Sequence, residues 1–410
     1  MTFNSLALKI ASRCNLNCSY CFMYNLGDTT YKKQPKFMST EIVDHIIEKT
    51  KAYLKKYNKK EFSFIFHGGE PLLAPKQFYI DFIDKVNHIK NELPDVTFHF
   101  DVQTNGVLLN TEWINLFKKL NIAPSISVDG TKKAHDMYRV DHKGNGSYDN
   151  VFKSVQLLRK EMDYADIACV INTNESPKEI YSSFKKMNVS YVNFLIPDYT
   201  HDNFPFDKEK TTMADWLIEL FDIWISDPNR FKIPLFFGLL NSLMRISEDA
   251  KNESTVLVIE TNGEIEAIDS LKACGHGFTK TGLNITTNNL EEIQNTSLGN
   301  LYFNDLNSKL CNQCLQCPLK EICKGGRLVH RHNKTNGFNN PSVYCNDLIK
   351  LIAHVQKFFI SCYPELHEKE NIEAINPEEI RNYLSNLSEF EFNPHAEELE
   401  SFLSKETAAV

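Results

Sequence analysis

The chain has 410 residues, which is enough for a large hydrophobic core and more than one domain. Hydrophobic residues make up 42% and charged residues 24%, as in an ordinary globular protein, and the net charge of −8 argues against nucleic acid as a partner. The sequence contains neither a signal peptide nor an apolar run long enough to cross a membrane. We therefore expect a cytoplasmic protein with no membrane partner.

The first predicted strand covers residues 5–11 and leads directly into three closely spaced cysteines. Cys14, Cys18 and Cys21 follow the spacing C-x3-C-x2-C, and Tyr20 stands just before the last one. A 4Fe–4S cluster normally takes four protein ligands, so three cysteines leave one iron free for another ligand. A structural zinc usually takes paired C-x2-C units, and disulfide frameworks belong to small secreted chains. The triplet therefore favours an iron–sulfur cluster.

Strand and helix alternate from residue 5 to residue 196. Predicted strands cover 5–11, 61–71, 96–106, 122–130, 164–172 and 190–196, and predicted helices cover 39–57, 75–91, 111–120, 147–161 and 176–187. Six such units predict a parallel sheet with right-handed crossovers, which suits a partial (β/α)6 barrel. Functional groups gather at the carboxyl ends of barrel strands. Those ends carry Cys14, Gly68 to Glu70, Thr104 to Gly106 and Ser127 to Gly130.

The second half begins with a loop and two helices. Residues 197–212 are rich in turn formers and predict an exposed loop, and the amphipathic helices 216–225 and 235–246 are expected to pack between two domains. Residues 255–270 alternate on both sides of Asn262-Gly263, which predicts a β-hairpin with a type I′ turn. Further helices are predicted at 347–359, 377–387 and 396–403.

Cysteines are concentrated in two places. The chain has 11 of them without an export signal, which indicates metal or redox chemistry in a reducing cytoplasm. Besides the triplet, five lie within residues 311–345: Cys311, Cys314, Cys317, Cys323 and Cys345. Cys362 lies outside any cluster spacing and is expected to be a buried thiol.

The triplet and the sequence Gly68-Gly69-Glu70-Pro71 resemble the motifs of radical SAM enzymes. The resemblance implies that the free iron binds S-adenosylmethionine and that one electron cleaves it to a 5′-deoxyadenosyl radical. It also implies that Gly68, Gly69 and Glu70 receive the methionine ammonium, since glycine permits close approach and a carboxylate supplies opposite charge. Ser127 and Arg139 are the candidates for the ribose and the carboxylate. For Arg139, a surface salt bridge is the alternative.

The hairpin followed by C-x2-C-x5-C and a distant cysteine resembles the SPASM domain, which carries auxiliary clusters. The resemblance assigns one auxiliary 4Fe–4S cluster to Cys314, Cys317, Cys323 and Cys345. The pattern for a second one is incomplete, because no cysteine lies between Cys169 and Cys274 and Arg327 stands at the last position of the signature. Cys274 and Cys311 either hold that second cluster, complete the first or are free thiols. A zinc ribbon is the alternative for this region.

Four longer stretches resemble the radical SAM/SPASM peptide maturases that form three-residue cyclophanes: 127–148, 193–205, 261–274 and 323–348. The resemblance implies abstraction of hydrogen from a β-carbon of a ribosomally made precursor peptide, then attack of that carbon on an aromatic ring. Loss of one electron and one proton completes the crosslink. An auxiliary cluster is expected to take the electron. Asp198, His201 and His276 are the candidates for the proton acceptor.

Other reactions use the same architecture. Thioether crosslinking is one, and sulfatase-maturase-like oxidation of Cys or Ser to formylglycine is another. For the latter, the family's catalytic Asp after the post-hairpin cysteine is missing, because Gly275 follows Cys274. A non-enzymatic zinc-binding adaptor is the alternative of another class.

The expected organisation has four parts. These are a radical SAM partial barrel at 1–205, linker helices at 206–250, a SPASM-like auxiliary iron–sulfur domain at 251–350 and C-terminal helices at 351–410. Because the first strand begins at residue 5, we expect no separate N-terminal domain for a leader peptide. The expected partners are the precursor peptide and an electron donor of the flavodoxin or ferredoxin type.

Overall fold

A single mixed sheet organises the chain. The computed structural model describes residues 3–205, 207, 211–244, 256–370, 372–387 and 393–403. In this part of the chain the strands are β1 Ser5–Ala11, β2 Glu61–Gly68, β3 Thr97–Thr104, β4 Ile122–Ser127, β5 Asp166–Val170, β6 Tyr191–Leu195, β7 Val256–Ile259 and β8 Ile265–Glu266. Their order is β6-β5-β4-β3-β2-β1-β7-β8. The first six strands run parallel in chain order, which confirms the predicted α/β class.

Helices fill the crossovers and form the C-terminal part. They are α1 Thr40–Tyr57, α2 Lys76–Glu92, α3 Thr111–Leu120, α4 Lys132–Tyr138, α5 Tyr148–Met162, α6 Pro177–Met187, α7 Thr212–Ser226, α8 Pro234–Met244, α9 Ser297–Asn300, α10 Asn312–Gln316, α11 Lys320–Cys323, α12 Cys345–Cys362, α13 Pro364–Glu370, α14 Pro377–Ser385 and α15 Ala396–Glu400. Side-chain caps explain why several starts were predictable: Ser39 accepts from the Ile42 N–H and Asn110 from the Trp113 N–H. No helix in the described ranges is long and apolar enough to cross a membrane.

Alternation along β2 separates the core from the face that carries the site. Phe62, Phe64 and Phe66 are fully buried, and the last two pack edge to face against α2 through Phe82. Ile65 and His67 point to the opposite side and line a cavity. One strand therefore supplies the packing against its crossover helix and two side chains to the interior.

The predicted hairpin is present, but its turn is different. The Gly263 N–H donates to the Glu260 carbonyl at 2.8 Å, and Gly263 has a φ of +84°. Thr261 and Asn262 are not among the residues with positive φ, which a type I′ turn would require. The type I′ prediction is therefore wrong, and the loop is a three-residue connection that ends in a left-handed glycine. The predicted hairpin stretch begins at Thr255, which lies outside the described residues.

The hairpin is part of the barrel sheet. β7 runs parallel to β1, with Ser5 opposite Val256 and Leu8 opposite Ile259, while β8 pairs antiparallel with β7. The hairpin that opens the predicted SPASM-like segment therefore covers the free edge of the first strand. The boundary between the predicted parts at residue 250 stays a prediction.

The helices at 212–244 lie between the barrel and the C-terminal helix. α7 packs against α6 and α12, and α8 packs against β6 and α12. This matches the expected position between two parts of the fold. Residues 245–246 of the predicted second helix lie outside the described residues.

The segment after β6 is more enclosed than predicted. The Pro197 carbonyl accepts from His330 Nε2 at 3.0 Å and from the Tyr344 hydroxyl at 3.3 Å. The His201 N–H donates to the His332 carbonyl at 2.9 Å. The prediction of an exposed loop is therefore wrong for 197–201, because the chain segment 330–344 covers it. Residues 206 and 208–210 of that loop lie outside the described residues.

A buried charge cluster ties the hairpin to the cysteine-triplet loop. Lys272 Nζ lies 2.8 Å from Glu266, 3.1 Å from Glu260 and 3.8 Å from Asp28, and all four side chains are almost fully buried. Burial, and then the nearby Glu260 charge, raise the pKa of Glu266 to about 7. One cation is therefore shared by three carboxylates that water does not reach.

Replacing this cation is expected to be costly. Lys272→Met leaves buried carboxylates without their partner and should lower the free energy of unfolding by about 3–5 kcal/mol in urea titrations. Lys280→Met is the matched control, because Lys280 contacts Glu264 and Glu266 from a partly exposed position and should cost about 1 kcal/mol or less. Equal losses of unfolding free energy in the two variants would contradict the claim that burial makes Lys272 the more important cation.

Candidate active site

A cavity of about 580 Å³ lies at the carboxyl ends of the parallel strands. Its wall includes all three cysteines of the triplet, and also residues from strands β2 to β6 and from the segment after the hairpin. The predicted residues that line it are Cys14, Cys18, Cys21, Gly68, Gly69, Ser127, Arg139 and Asp198. The topology therefore brings together side chains that are up to 184 positions apart, from Cys14 to Asp198.

Two glycines let the end of β2 approach the triplet loop. The Gly69 N–H donates to the Ala11 carbonyl at 2.8 Å, and the Glu70 N–H donates to the Arg13 carbonyl at 3.0 Å. A Cβ on Gly68 would lie 2.2 Å from the Ala11 oxygen, and Gly68 has a φ of +135°. A Cβ on Gly69 would lie 2.0 Å from the Tyr24 hydroxyl. Both positions therefore require glycine to hold the cysteine loop in place.

Glu70 lies behind the cavity wall and organises the next strand end. Its carboxylate accepts from the Leu72 N–H at 2.9 Å, from Thr104 Oγ1 at 2.6 Å and from the Asn105 N–H at 2.8 Å. Burial raises its pKa, and these three hydrogen bonds oppose that change. Asn105 in turn donates through Nδ2 to Asn15 Oδ1 at 2.7 Å, next to Cys14. Glu70 therefore links strand β3 to the triplet loop through Asn105.

Arg139 faces the cavity from a buried network. Its Nη1 donates to the Tyr20 hydroxyl at 2.8 Å, and that hydroxyl donates to Asp129 Oδ2 at 2.5 Å. Arg139 is only 7% exposed, so the surface salt bridge considered for it is wrong. Its Nε is buried and makes no hydrogen bond within the described chain. A guanidinium with spare donors at the cavity wall suits an anionic group of a ligand.

The triplet thiols are set up for metal and not for free thiolate chemistry. Burial, followed by the charge of Glu70, raises the pKa of Cys14 to about 12, and burial together with Cys18 raises that of Cys21 to about 11. A metal ligand must be a thiolate, so the positive charge of the bound iron has to offset this cost. Three such thiols on one wall, with no fourth protein ligand in the triplet, fit the predicted cluster with an open iron.

A charged cluster beside the cavity escaped prediction: His67 and Asp269 line the wall, and Lys9 lies behind them. Lys9 is fully buried; it pairs with Asp269 and lies 3.0 Å from His67 Nδ1. Burial and the Lys9 charge lower the pKa of His67 to about 3, so the ring is neutral. Burial opposes ionisation of Asp269, but Lys9 and His67 hold its pKa at about 2. The one signal in the sequence was a lysine inside an otherwise apolar strand.

The structure separates the three candidates for the proton acceptor. Asp198 lines the cavity, and its Oδ1 lies 2.6 Å from Arg327 Nη1. The two groups form an ion pair, but their angles do not meet the geometry of a hydrogen bond. His201 Nε2 donates to the Pro341 carbonyl at 2.8 Å, and His201 is not part of the wall. His276 contacts Thr29 at 2.9 Å and lines a different cavity. Of the three, Asp198 alone lines the cavity that the triplet also lines.

Four post-hairpin cysteines form a second, small cage. Cys314, Cys317, Cys323 and Cys345 line one enclosed space together with apolar side chains from α12 and α14. This is the set that the SPASM resemblance assigned to an auxiliary cluster. Among the described residues no three His, Cys, Asp or Glu side chains are arranged to hold a single metal ion, as a zinc ribbon would need. Four thiols are a donor set that an iron–sulfur cluster takes, and the assignment of a cluster to this cage stays a prediction.

The other cysteines lie outside that cage. Cys311 packs beside Cys314 but does not line the space, and Cys274 is buried near Asp198. Cys169 is buried in β5. Cys362 is exposed, so the prediction of a buried thiol is wrong, because the position falls on the last residue of α12.

With this geometry in hand, comparisons with known proteins identify the class. Residues 8–187 match the radical SAM superfamily. This part of the chain is therefore a radical SAM domain, which in that superfamily holds a 4Fe–4S cluster that binds S-adenosylmethionine, and the protein is an enzyme. The interpretation as a non-enzymatic adaptor is wrong.

Among radical SAM enzymes, the chain is similar to anaerobic sulfatase-maturating enzymes. The cysteine-type anaerobic sulfatase-maturating enzyme of Clostridium novyi is 28% identical over 83% of this chain and 92% of its own length. The serine-type enzyme of Bacteroides thetaiotaomicron is 26% identical over 88% of this chain and 91% of its own length. The solved structure of native anSMEcpe with bound AdoMet and the Kp18Cys peptide superposes with a TM-score of 0.74, at 23% identity, over 87% of this chain and 98% of that one. The finer resemblance to cyclophane-forming maturases stays a prediction.

The two-glycine approach can be tested directly. Gly69→Ala places a Cβ against Tyr24 and Arg13 and should cost about 1–3 kcal/mol and reduce the iron bound by the triplet. Gly238→Ala is the control, because nothing lies within 4 Å of its Cβ inside α8, and alanine there should gain about 0.5–1 kcal/mol. Iron per chain and urea unfolding measure both. Normal iron binding by Gly69→Ala would contradict the role of the close approach.

Proposed function

We propose that the protein oxidises a side chain of a peptide substrate by radical SAM chemistry, starting at a β-carbon. The observation that carries this proposal is the shared cavity of Cys14, Cys18 and Cys21 with Gly68, Gly69 and Arg139. The full-length similarity to sulfatase-maturating enzymes, and the peptide present in the structure of anSMEcpe, support a peptide as the substrate. A reducing partner of the flavodoxin or ferredoxin type belongs to the proposal.

The residues divide the work as follows. The three cysteines hold the cluster, which with bound S-adenosylmethionine supplies a hydrogen-abstracting radical. Gly68 and Gly69 expose backbone at the cavity wall, and Ser127 and Arg139 offer polar contacts to the cofactor. The methionine ammonium is assigned to the backbone of the glycine turn, which Glu70 supports from behind the cavity wall. The cage of Cys314, Cys317, Cys323 and Cys345 holds an auxiliary cluster.

Asp198 completes the chemistry as the proton acceptor. After a hydrogen atom leaves the β-carbon, the substrate must still lose one electron and one proton to reach the oxidised product. An auxiliary cluster held by the four cage cysteines would supply an acceptor for the electron, and we assign the proton to the Asp198 carboxylate. Burial raises the pKa of Asp198 and Arg327 opposes this, so the group is basic enough to take a proton and is still oriented by an ion pair.

Two products are compatible with this half of the reaction. An aldehyde of the formylglycine type is the product that the sulfatase-maturating relatives favour. A crosslink to an aromatic ring is favoured by Gly275, which leaves no carboxylate after Cys274, and by the stretches that resemble cyclophane maturases. Peptide treated with the enzyme distinguishes them, because the aldehyde reacts with a hydrazide probe and a carbon–carbon crosslink does not.

The role of the triplet predicts a specific loss. Cys18→Ala should abolish production of 5′-deoxyadenosine while the auxiliary iron is retained, because only the open cluster meets the cofactor. Anaerobic reconstitution, iron determination and chromatography of the nucleoside measure this. Cys362→Ala is the matched control and should behave like the wild type, since that thiol is exposed at the end of α12. Persistent cleavage in Cys18→Ala would refute the assignment.

The role of Asp198 predicts uncoupling. Asp198→Asn should still cleave S-adenosylmethionine but form the oxidised peptide at least ~100-fold more slowly, which is the lower range for a lost acid–base group. Activity of the wild type should fall on acidification at a higher pH than for an ordinary carboxyl, since the pKa of Asp198 is raised. Asp202→Asn, four residues further on and exposed, is the control. Unchanged peptide oxidation by Asp198→Asn would exclude Asp198 as the acceptor.

A further inference from the structure

Arg331 is a fully buried cation with an unusual lack of charged partners. Its exposed fraction is 0%, and it belongs to the largest side chains that are completely enclosed. Its Nη2 donates to the Leu306 carbonyl at 3.2 Å and its Nη1 to the Lys309 carbonyl at 3.5 Å. Within the described residues, no Asp or Glu forms an ion pair with it, and its Nε has no hydrogen-bond partner. Neutral carbonyls alone compensate a buried charge poorly.

The surroundings of this cation are the auxiliary cysteines. A Cβ on Gly325 would lie 3.3 Å from Arg331 Nη1, and Gly325 itself lines the cage. The carbonyls that Arg331 contacts belong to the segment that leads into Cys311 and Cys314. The thiols that interact with its charge are Cys314, Cys311 and Cys323. The guanidinium therefore lies against the cage wall, and among the described residues the groups placed to supply its counter-charge are the cysteines in and beside the cage.

Charge balance then points to the occupant. Four uncharged thiols around this cage would leave the buried guanidinium without a counter-charge. A 4Fe–4S cluster with four thiolates is instead a dianion, and it gains one more negative charge when it accepts an electron. A buried cation beside it is stabilised by the oxidised cluster and more strongly by the reduced one.

We infer that Arg331 is the counter-ion of the auxiliary cluster and raises its reduction potential, so that the cluster accepts the electron left by substrate oxidation. This rests on the auxiliary cluster of the proposed function. The step is a transfer of one electron from the substrate carbon to the oxidised cluster, with the proton released separately. Arg331 is a positioning residue here, since it acts through the field at the cluster and contacts neither substrate nor the reacting carbon.

The test measures the potential of the cluster in the full chain. A Cys14→Ala/Cys18→Ala/Cys21→Ala background removes the open cluster, so that the auxiliary one is observed alone by EPR during redox titration. In that background Arg331→Gln should lower the midpoint potential by 59 mV or more, which is at least a tenfold change in the one-electron equilibrium. Arg331→Lys keeps the charge and should stay close to the parent. Lys320→Gln is the matched control, because Lys320 lines the same cage but is 39% exposed, so water screens its charge.

The outcomes of these redox titrations separate the inference about Arg331 from the proposed auxiliary cluster. An unchanged potential in Arg331→Gln with a normal cluster overturns the inference, and so does an equal shift in Lys320→Gln. If Arg331→Gln fails to assemble a cluster, Arg331→Lys decides: assembly at the parent potential supports the charge, and failure assigns the residue to its carbonyl contacts and overturns the inference. Absence of any cluster in the parent background refutes the proposed auxiliary cluster itself, which is a different failure.

Discussion

The site depends on the close contact between the end of β2 and the start of the cysteine loop. Two backbone hydrogen bonds, from Gly69 to Ala11 and from Glu70 to Arg13, join these segments at 2.8 and 3.0 Å. No side chain fits between them, which is why two glycines stand there. Because Glu70 then binds the end of β3, and Asn105 binds the triplet loop, three strand ends are locked together around the place where the cluster is assigned.

Much of this arrangement could be predicted because it follows local rules. The Ser39 cap marks the start of α1, and the alternation of Phe62, Phe64 and Phe66 identifies β2 as a strand with one buried face. The parallel order of the strands followed from the connections. The Gly68-Gly69 pair was associated with the cofactor from its motif, whereas its backbone contacts with Ala11 and Arg13 depend on a strand more than fifty positions earlier.

What could not be predicted depends on contacts between distant segments. Nothing near Pro197 indicates that His330 and Tyr344 will cover it. The predicted turn type at Asn262-Gly263 was wrong because this dipeptide is compatible with two kinds of turn. The structure has the turn in which only the glycine has a positive φ. The sequence shows that Arg327 occupies a position where the SPASM signature has a cysteine. Its ion pair with Asp198 at the cavity depends on the three-dimensional structure.

The pairing of β7 with β1 has a consequence for how the chain is made. Ser5 finds its partner only when Val256 exists, so one side of β1 has no neighbouring strand while the intervening residues are being synthesised. At the usual speed of translation this interval lasts roughly 10 to 50 seconds. An apolar strand with an unpaired edge is prone to associate with other chains during such a period. Lys9 places a charge in the middle of that strand, and it meets Asp269 only after the hairpin has emerged.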